Sequence, residues 1–172
     1  MNMVYLLLYV IAAMIVGFVM VKTYQEKDRM RRYVIVLLAL AMICIVSYSV
    51  NFMTDNYNVM SAATSIMMSA QDFLLVSLFI YTTAFARISN KVTKVMTIAA
   101  FVIAIIDSVV FIANIFNEIA VKYSLVKCDG IYVLGYEGEL WFGIHAVMSM
   151  IITACIIAVL VIKCIHIPGA YW

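Results

Sequence analysis

Five long apolar runs, separated by short polar segments, dominate the pattern of the chain. They lie at about residues 3–21, 33–53, 60–85, 95–116 and 140–162. Each run reaches the roughly 20 residues that an α-helix needs to cross the hydrocarbon core of a bilayer. The runs are nearly continuous instead of alternating, which is typical of helices and argues against a β-barrel. The pattern predicts an all-α, polytopic bundle of five transmembrane helices.

The composition supports a membrane protein. Of the 172 residues, 67% are hydrophobic and 12% are charged, whereas a soluble domain is about half apolar and a quarter charged. The net charge of +2 is too small to indicate nucleic acid as a partner. We therefore expect the lipid bilayer, and no nucleic acid, as the surroundings of this chain.

The basic residues predict an orientation, because cytoplasmic connections are enriched in Lys and Arg. Five follow the first run, three follow the third and one follows the fifth, so nine of the eleven lie on one side. The other side holds only Lys122 and Lys127. We expect the N-terminus outside, the C-terminus in the cytoplasm, and an extracytoplasmic connection at residues 117–139. Glycines at 130, 135 and 138 in this connection favour a short hairpin, with an ordered lid without chemistry as the alternative.

Polar residues recur at helical spacing in four of the apolar runs, so each helix presents one polar stripe. The stripes contain Ser47 and Asn51, Ser65 and Asp72, Asp107 and Asn114, and Trp141 and His145. Ionisable groups inside a membrane are costly and are commonly functional, and Asp72 and Asp107 lie near the predicted midplane. One interpretation is an outward-facing cavity with a ligand-binding lining of Asp107, Asn114, Trp141, His145, Asp72 and Asn51. The other is that these groups only hydrogen-bond to neighbouring helices.

The sequence lacks the short motifs that are typical of common catalytic and metal-binding sites. It contains no GxSxG, no Walker loop and no HExxH. His145 and His166 are about 31 Å apart if one helix joins them, so they do not share a metal within one subunit. We expect neither a catalytic residue nor a metal or other cofactor, and no enzyme activity in this chain.

Four segments carry a resemblance to a known family: MNMVYLLLYVIAA, QDFLLVSLFIYTTAF, IDSVVFIANIFNEIAVKY and GYEGELWFGIH. With the basic first connection, they resemble the N-terminal seven-transmembrane region of bacterial sensor histidine kinases and of related diguanylate cyclases. The resemblance implies that Asp72, Asp107, Asn114, Trp141 and His145 correspond to recurrent polar or aromatic positions of the family. It does not extend to the proline and histidines that the family often has after the asparagine of the fourth span, since this chain has Ile115, Phe116, Asn117 and Glu118 there.

The resemblance implies a membrane sensor in the inner membrane of a bacterial cell. The chain would be a five-helix fragment of the region, without its output domain. The full-length protein would be a homodimer that binds an external or membrane-soluble small molecule and signals to a cytoplasmic kinase or cyclase. The alternative is a transporter or permease subunit whose polar stripes line a pathway. The sensor is favoured, because residues 95–106 include only one polar side chain, Thr97, and a pathway must open to both sides.

Overall fold

Five helices and one hairpin make up the computed structural model, which describes residues 3–128 and 131–165. The helices are α1 Met3–Gln25, α2 Arg31–Val50, α3 Tyr57–Ala86, α4 Lys91–Asn117 and α5 Leu140–Ile165. The antiparallel strands β1 Val121–Cys128 and β2 Ile131–Gly138 lie between α4 and α5. All five helices are long and apolar enough to span a membrane. The five-helix, all-α architecture is confirmed, whereas its orientation in the membrane stays a prediction.

Two asparagine caps explain why α3 and α4 begin earlier than the apolar runs do. The Asn56 side chain accepts hydrogen bonds from the Asn58 and Val59 amides at the start of α3. The Asn90 side chain accepts from the Thr93 amide at 2.7 Å at the start of α4. Such caps satisfy amides that have no partner within the helix, so each helix extends beyond its apolar segment.

Helix α3 is the central element. It packs against α2, α4 and α5, whereas α1 packs against α2 and has no buried residue. Most of the buried residues of α3 are serine, alanine or threonine. In a membrane, helix association depends on close van der Waals packing and interhelical hydrogen bonds, and small residues allow that approach.

The hairpin folds back onto the ends of α4 and α5. At its base, the Glu139 amide donates to the Ala120 carbonyl at 3.2 Å, and Lys122 Nζ lies 2.5 Å from Glu139 Oε1. This hydrogen bond raises the pKa of Lys122. Gly138 has no room for a side chain, because a Cβ would lie 2.6 Å from the Phe142 ring. The hairpin therefore contacts the first turn of α5 directly.

Asn114 joins the hairpin to α4. Its side chain is fully buried, and its Oδ1 accepts hydrogen bonds from the amides of Ala120 and Val121 at 2.7 and 3.0 Å. Its Nδ2 donates to the Val121 carbonyl at 3.0 Å. One amide side chain thus satisfies three backbone groups where the chain leaves the helix, beside a small core that includes Phe111 and Tyr123. Burial raises the pKa of the Tyr123 hydroxyl.

Replacing Asn114 should destabilise the protein more than replacing any exposed residue of the same turn. Asn114→Ala removes three hydrogen bonds and leaves buried backbone groups without partners, which we expect to cost about 2–4 kcal/mol of unfolding free energy. Asn114→Asp keeps the accepting oxygen and should cost less. Thermal unfolding in detergent micelles measures the difference. Exposed Asn117→Ala is the control, and equal midpoints for Asn114→Ala and Asn117→Ala would contradict the assignment.

Candidate functional site

Side chains from α3, α4 and α5 meet inside the bundle. His145 Nδ1 lies 2.5 Å from Asp107 Oδ2 and 3.3 Å from Asp72 Oδ1. The Trp141 indole N–H donates to Asp107 Oδ1 at 2.6 Å. Asp72, Asp107 and His145 are each only 5–7% exposed. We call Asp72, Asp107, Trp141 and His145 the buried ion-pair cluster.

The helical repeat places each member of the cluster. Trp141 and His145 are one turn apart on α5, so both side chains face α4 and reach the same carboxylate. On α4, Asp107 lies one turn before Phe111, whose ring meets the His145 ring edge-on at 4.9 Å. Phe142 covers another side of the imidazole, at 6.1 Å between ring centroids. These apolar rings exclude water, and electrostatic contacts are stronger in such surroundings.

Charge pairing explains why these ionisable groups occur together. A lone carboxylate in hydrocarbon is costly, and a partner of opposite charge that is also hydrogen-bonded lowers that cost. Asp107 has both of its oxygens engaged, by Trp141 and by His145. Asp72 has one oxygen 3.3 Å from His145 Nδ1 and also lies against the Asp107 carboxylate, while its Oδ2 makes no regular hydrogen bond among the described residues. The cluster is therefore asymmetric, with Asp107 the better-satisfied carboxylate.

Further buried polar atoms lie between the cluster and the hairpin. The Ser69 hydroxyl donates to the Ser65 carbonyl at 3.0 Å and lies 3.4 Å from the Ser108 carbonyl on α4. The Ser108 hydroxyl is buried and has no hydrogen-bond partner in the described part of the chain, whereas the buried Ser65 and Tyr123 hydroxyls lie beside each other. Buried polar groups are nearly always satisfied in proteins, so this region retains capacity to hydrogen-bond to a polar molecule or to rearrange.

The structure brings together four of the six residues that the sequence suggested as a ligand-binding lining: Asp72, Asp107, Trp141 and His145. Asn114 is separate, because its side chain hydrogen-bonds to the backbone at the base of the hairpin. Asn51 is also separate, since its Nδ2 donates to Thr64 Oγ1 at 3.2 Å and joins α2 to α3. Ligand binding by these six residues, and the outward-facing cavity, stay predictions.

Two contributors were not singled out from the sequence. Phe142 shields the imidazole, and its only signal was its position beside Trp141. Ser108 contributes a buried hydroxyl next to Asp107, and serines are too common in membrane helices to be distinguished by type. Both are recognisable only once the helices are packed.

The same three ionisable residues offer metal-ligand atoms that lie within 4.8 Å of one another. The geometry nevertheless favours an ion pair. Two ligands about 2.0–2.1 Å from one tetrahedral zinc ion are about 3.3 Å apart, whereas the His145 and Asp107 atoms are separated by 2.5 Å. That separation is at or below the short end of charge-assisted N–H···O hydrogen bonds, about 2.7–2.9 Å, so the two atoms contact each other directly.

Fold and site together define a multispanning membrane protein with ionisable groups buried between its helices. A family model described as the N-terminal 7TM region of histidine kinase matches residues 5–172. The chain therefore belongs to this family, which confirms the resemblance seen in the sequence. No curated protein and no solved structure matches it.

The two carboxylates should differ in their contribution to stability. Asp107→Leu leaves the Trp141 N–H unpaired and removes the closest partner of His145, which we expect to cost about 3–5 kcal/mol. Asp72→Leu should cost less than half as much, because His145 keeps Asp107 and an unsatisfied oxygen is removed. The thermal unfolding midpoints of the two variants in detergent micelles show which substitution destabilises the protein more. A larger loss for Asp72→Leu would show that the asymmetry is misassigned.

Proposed function

We propose that this chain is the membrane-embedded input module of a bacterial signal-transduction protein, either a histidine kinase or a diguanylate cyclase. It detects an external or membrane-soluble cue and biases a cytoplasmic output domain by moving α3, α4 and α5 relative to one another. The observation that carries the proposal is the buried ion-pair cluster. A purely structural contact does not need ionisable groups in the membrane, where such groups are commonly functional.

The hairpin and the cluster transmit the effect of the cue to α5. The hairpin is bound to α4 through Asn114 and packs against Phe142 in the first turn of α5. One turn further along, His145 contacts carboxylates from two other helices. A cue that shifts the hairpin, or that competes for a cluster contact, changes the packing of α5. Its effect is limited to its difference in affinity between the two arrangements.

We further propose the orientation and setting of the module. The N-terminus and the hairpin are extracytoplasmic, and the end of α5 is cytoplasmic in the inner membrane of a bacterial cell. Nine of the eleven Lys and Arg on one side support this orientation. The complete receptor acts as a homodimer, and its output is a histidine kinase or a diguanylate cyclase.

Reporter fusions test the orientation. A fusion in the first turn of α4, after Lys94, should be active only with a reporter that works in the cytoplasm. A fusion in the hairpin should be active only with a reporter that works outside, since the positively charged connections stay in the cytoplasm. The opposite result at both positions would invert the topology and place the hairpin inside.

Signalling by the full-length receptor tests the role of the cluster. Asp107→Asn and His145→Gln keep the approximate shape of each side chain but remove the charge pairing. We expect folded protein at the membrane and an output changed by about 5-fold or more, as for typical coupling energies of 1–3 kcal/mol. Autophosphorylation or cyclase activity in membranes provides the readout.

The matched control for these variants is Asp55→Asn, an exposed acidic residue in the α2–α3 connection. It should leave the output unchanged. Normal output from both cluster variants, at normal expression and thermal stability, would refute the sensing role. Solute flux through the region in proteoliposomes, lost in the same variants, would instead favour a transporter.

A further inference from the structure

A basic cavity lies at the end of the bundle opposite the hairpin. It is formed by the α1–α2 connection, the first turn of α2, the last turns of α3 and the first turns of α4, and its volume is about 1160 Å³. Arg29, Arg87 and Lys94 line it, together with a single carboxylate, Asp28. We call it the basic interfacial cavity.

The three cations of this cavity are unpaired. None of them has an ion-pair partner within residues 3–128 and 131–165. The one carboxylate of the lining, Asp28, accepts a hydrogen bond from the Met30 amide at 3.1 Å, and three cations with one carboxylate leave the lining positively charged. Three exposed cations around one concave space repel each other, and an anion within it would relieve that repulsion.

The backbone of Arg87 has a defined conformation at the helix junction. Arg87 ends α3 in the left-handed conformation, with φ of 57°, and its amide donates to the Ala84 carbonyl. Glycine is the usual residue in this conformation. Here the residue is an arginine, so its positively charged side chain is attached at the connection between α3 and α4. This connection lies where the membrane-spanning segments end.

The apolar wall of the cavity identifies the kind of anion. Ile80 and Ile98 line it, and each is about 10 Å along its helix from the α3–α4 connection. Tyr33, at the start of α2, contributes an aromatic ring. The lining therefore runs from cations at the membrane surface to side chains at hydrocarbon depth. A free phosphate ion needs only the cations, whereas a phospholipid uses both parts.

We propose that the basic interfacial cavity binds the phosphate-bearing headgroup of an anionic phospholipid, whose acyl chains lie along Ile80 and Ile98. Clusters of Lys and Arg beside membrane helices bind anionic lipids in this way. The site is separate from the buried ion-pair cluster, so its occupancy is measurable without any signalling assay.

Lipid retention by the purified protein tests the proposal. The protein is reconstituted in vesicles of phosphatidylcholine alone or with phosphatidylglycerol, re-extracted in mild detergent, and assayed for bound lipid and unfolding midpoint. We expect preferential retention of phosphatidylglycerol and a higher midpoint in its presence. The double variant Arg87→Gln/Lys94→Gln should reduce the preference about 10-fold or more, because each cation near an anionic membrane contributes about 1 kcal/mol.

Two further double variants test whether a loss of lipid binding comes from the cavity itself, from lower overall charge or from a folding defect. Lys27→Gln/Lys91→Gln removes the same charge from the same end of the bundle but outside the cavity lining, and should lose much less of the preference, because lipid retained after extraction is lipid bound within the cavity. Arg87→Lys/Lys94→Arg keeps both charges and should restore binding. Equal losses in the two glutamine variants, or no preference in the unmodified protein, would overturn the proposal. So would an equal rise in midpoint when inorganic phosphate is added to phosphatidylcholine vesicles.

Discussion

The placement of α5 depends on one carboxylate, that of Asp107. Both of its oxygens accept hydrogen bonds from α5, one from Trp141 and one from His145. The buried residues of α5 are His145 and Ile156, and the helix packs against α3 mainly through small and apolar side chains. In lipid, apolar side chains are equally well surrounded by acyl chains, and apolar contact alone does not orient a helix. The ion pair selects one rotation and one depth for α5.

The rest of the bundle is arranged so that this ion pair is possible. Helix α3 supplies Asp72 and, through its small buried residues, lets α4 and α5 approach it closely. Phe111 and Phe142 then cover the imidazole. Helix α1, which has no buried residue, does not contribute to this arrangement. Polarity is therefore concentrated on the three helices that meet at the cluster.

The sequence predicts the spans and their polar faces, because both depend on neighbours within one helix. It does not predict that Asp72 meets His145, since the helical repeat defines a face but not the depth at which two helices pack. Asn114 shows the limit most clearly. Its spacing from Asp107 suggested a shared lining, yet its side chain hydrogen-bonds to backbone only six and seven residues further on. The basic interfacial cavity likewise joins Arg29 to Arg87, which are distant in sequence.

Helices α4 and α5 make different kinds of contact on the two sides of the cluster. Near the hairpin, Asn114, Asp107, Trp141 and Phe142 connect the helices and the hairpin in a closed series of contacts. On the other side of the cluster, α4 and α5 border an apolar cavity of about 160 Å³, lined by Ile103 and Ile152 among others. From His145, α5 continues for about 30 Å to Ile165. A small rotation of α5 about the cluster would therefore displace its far end most.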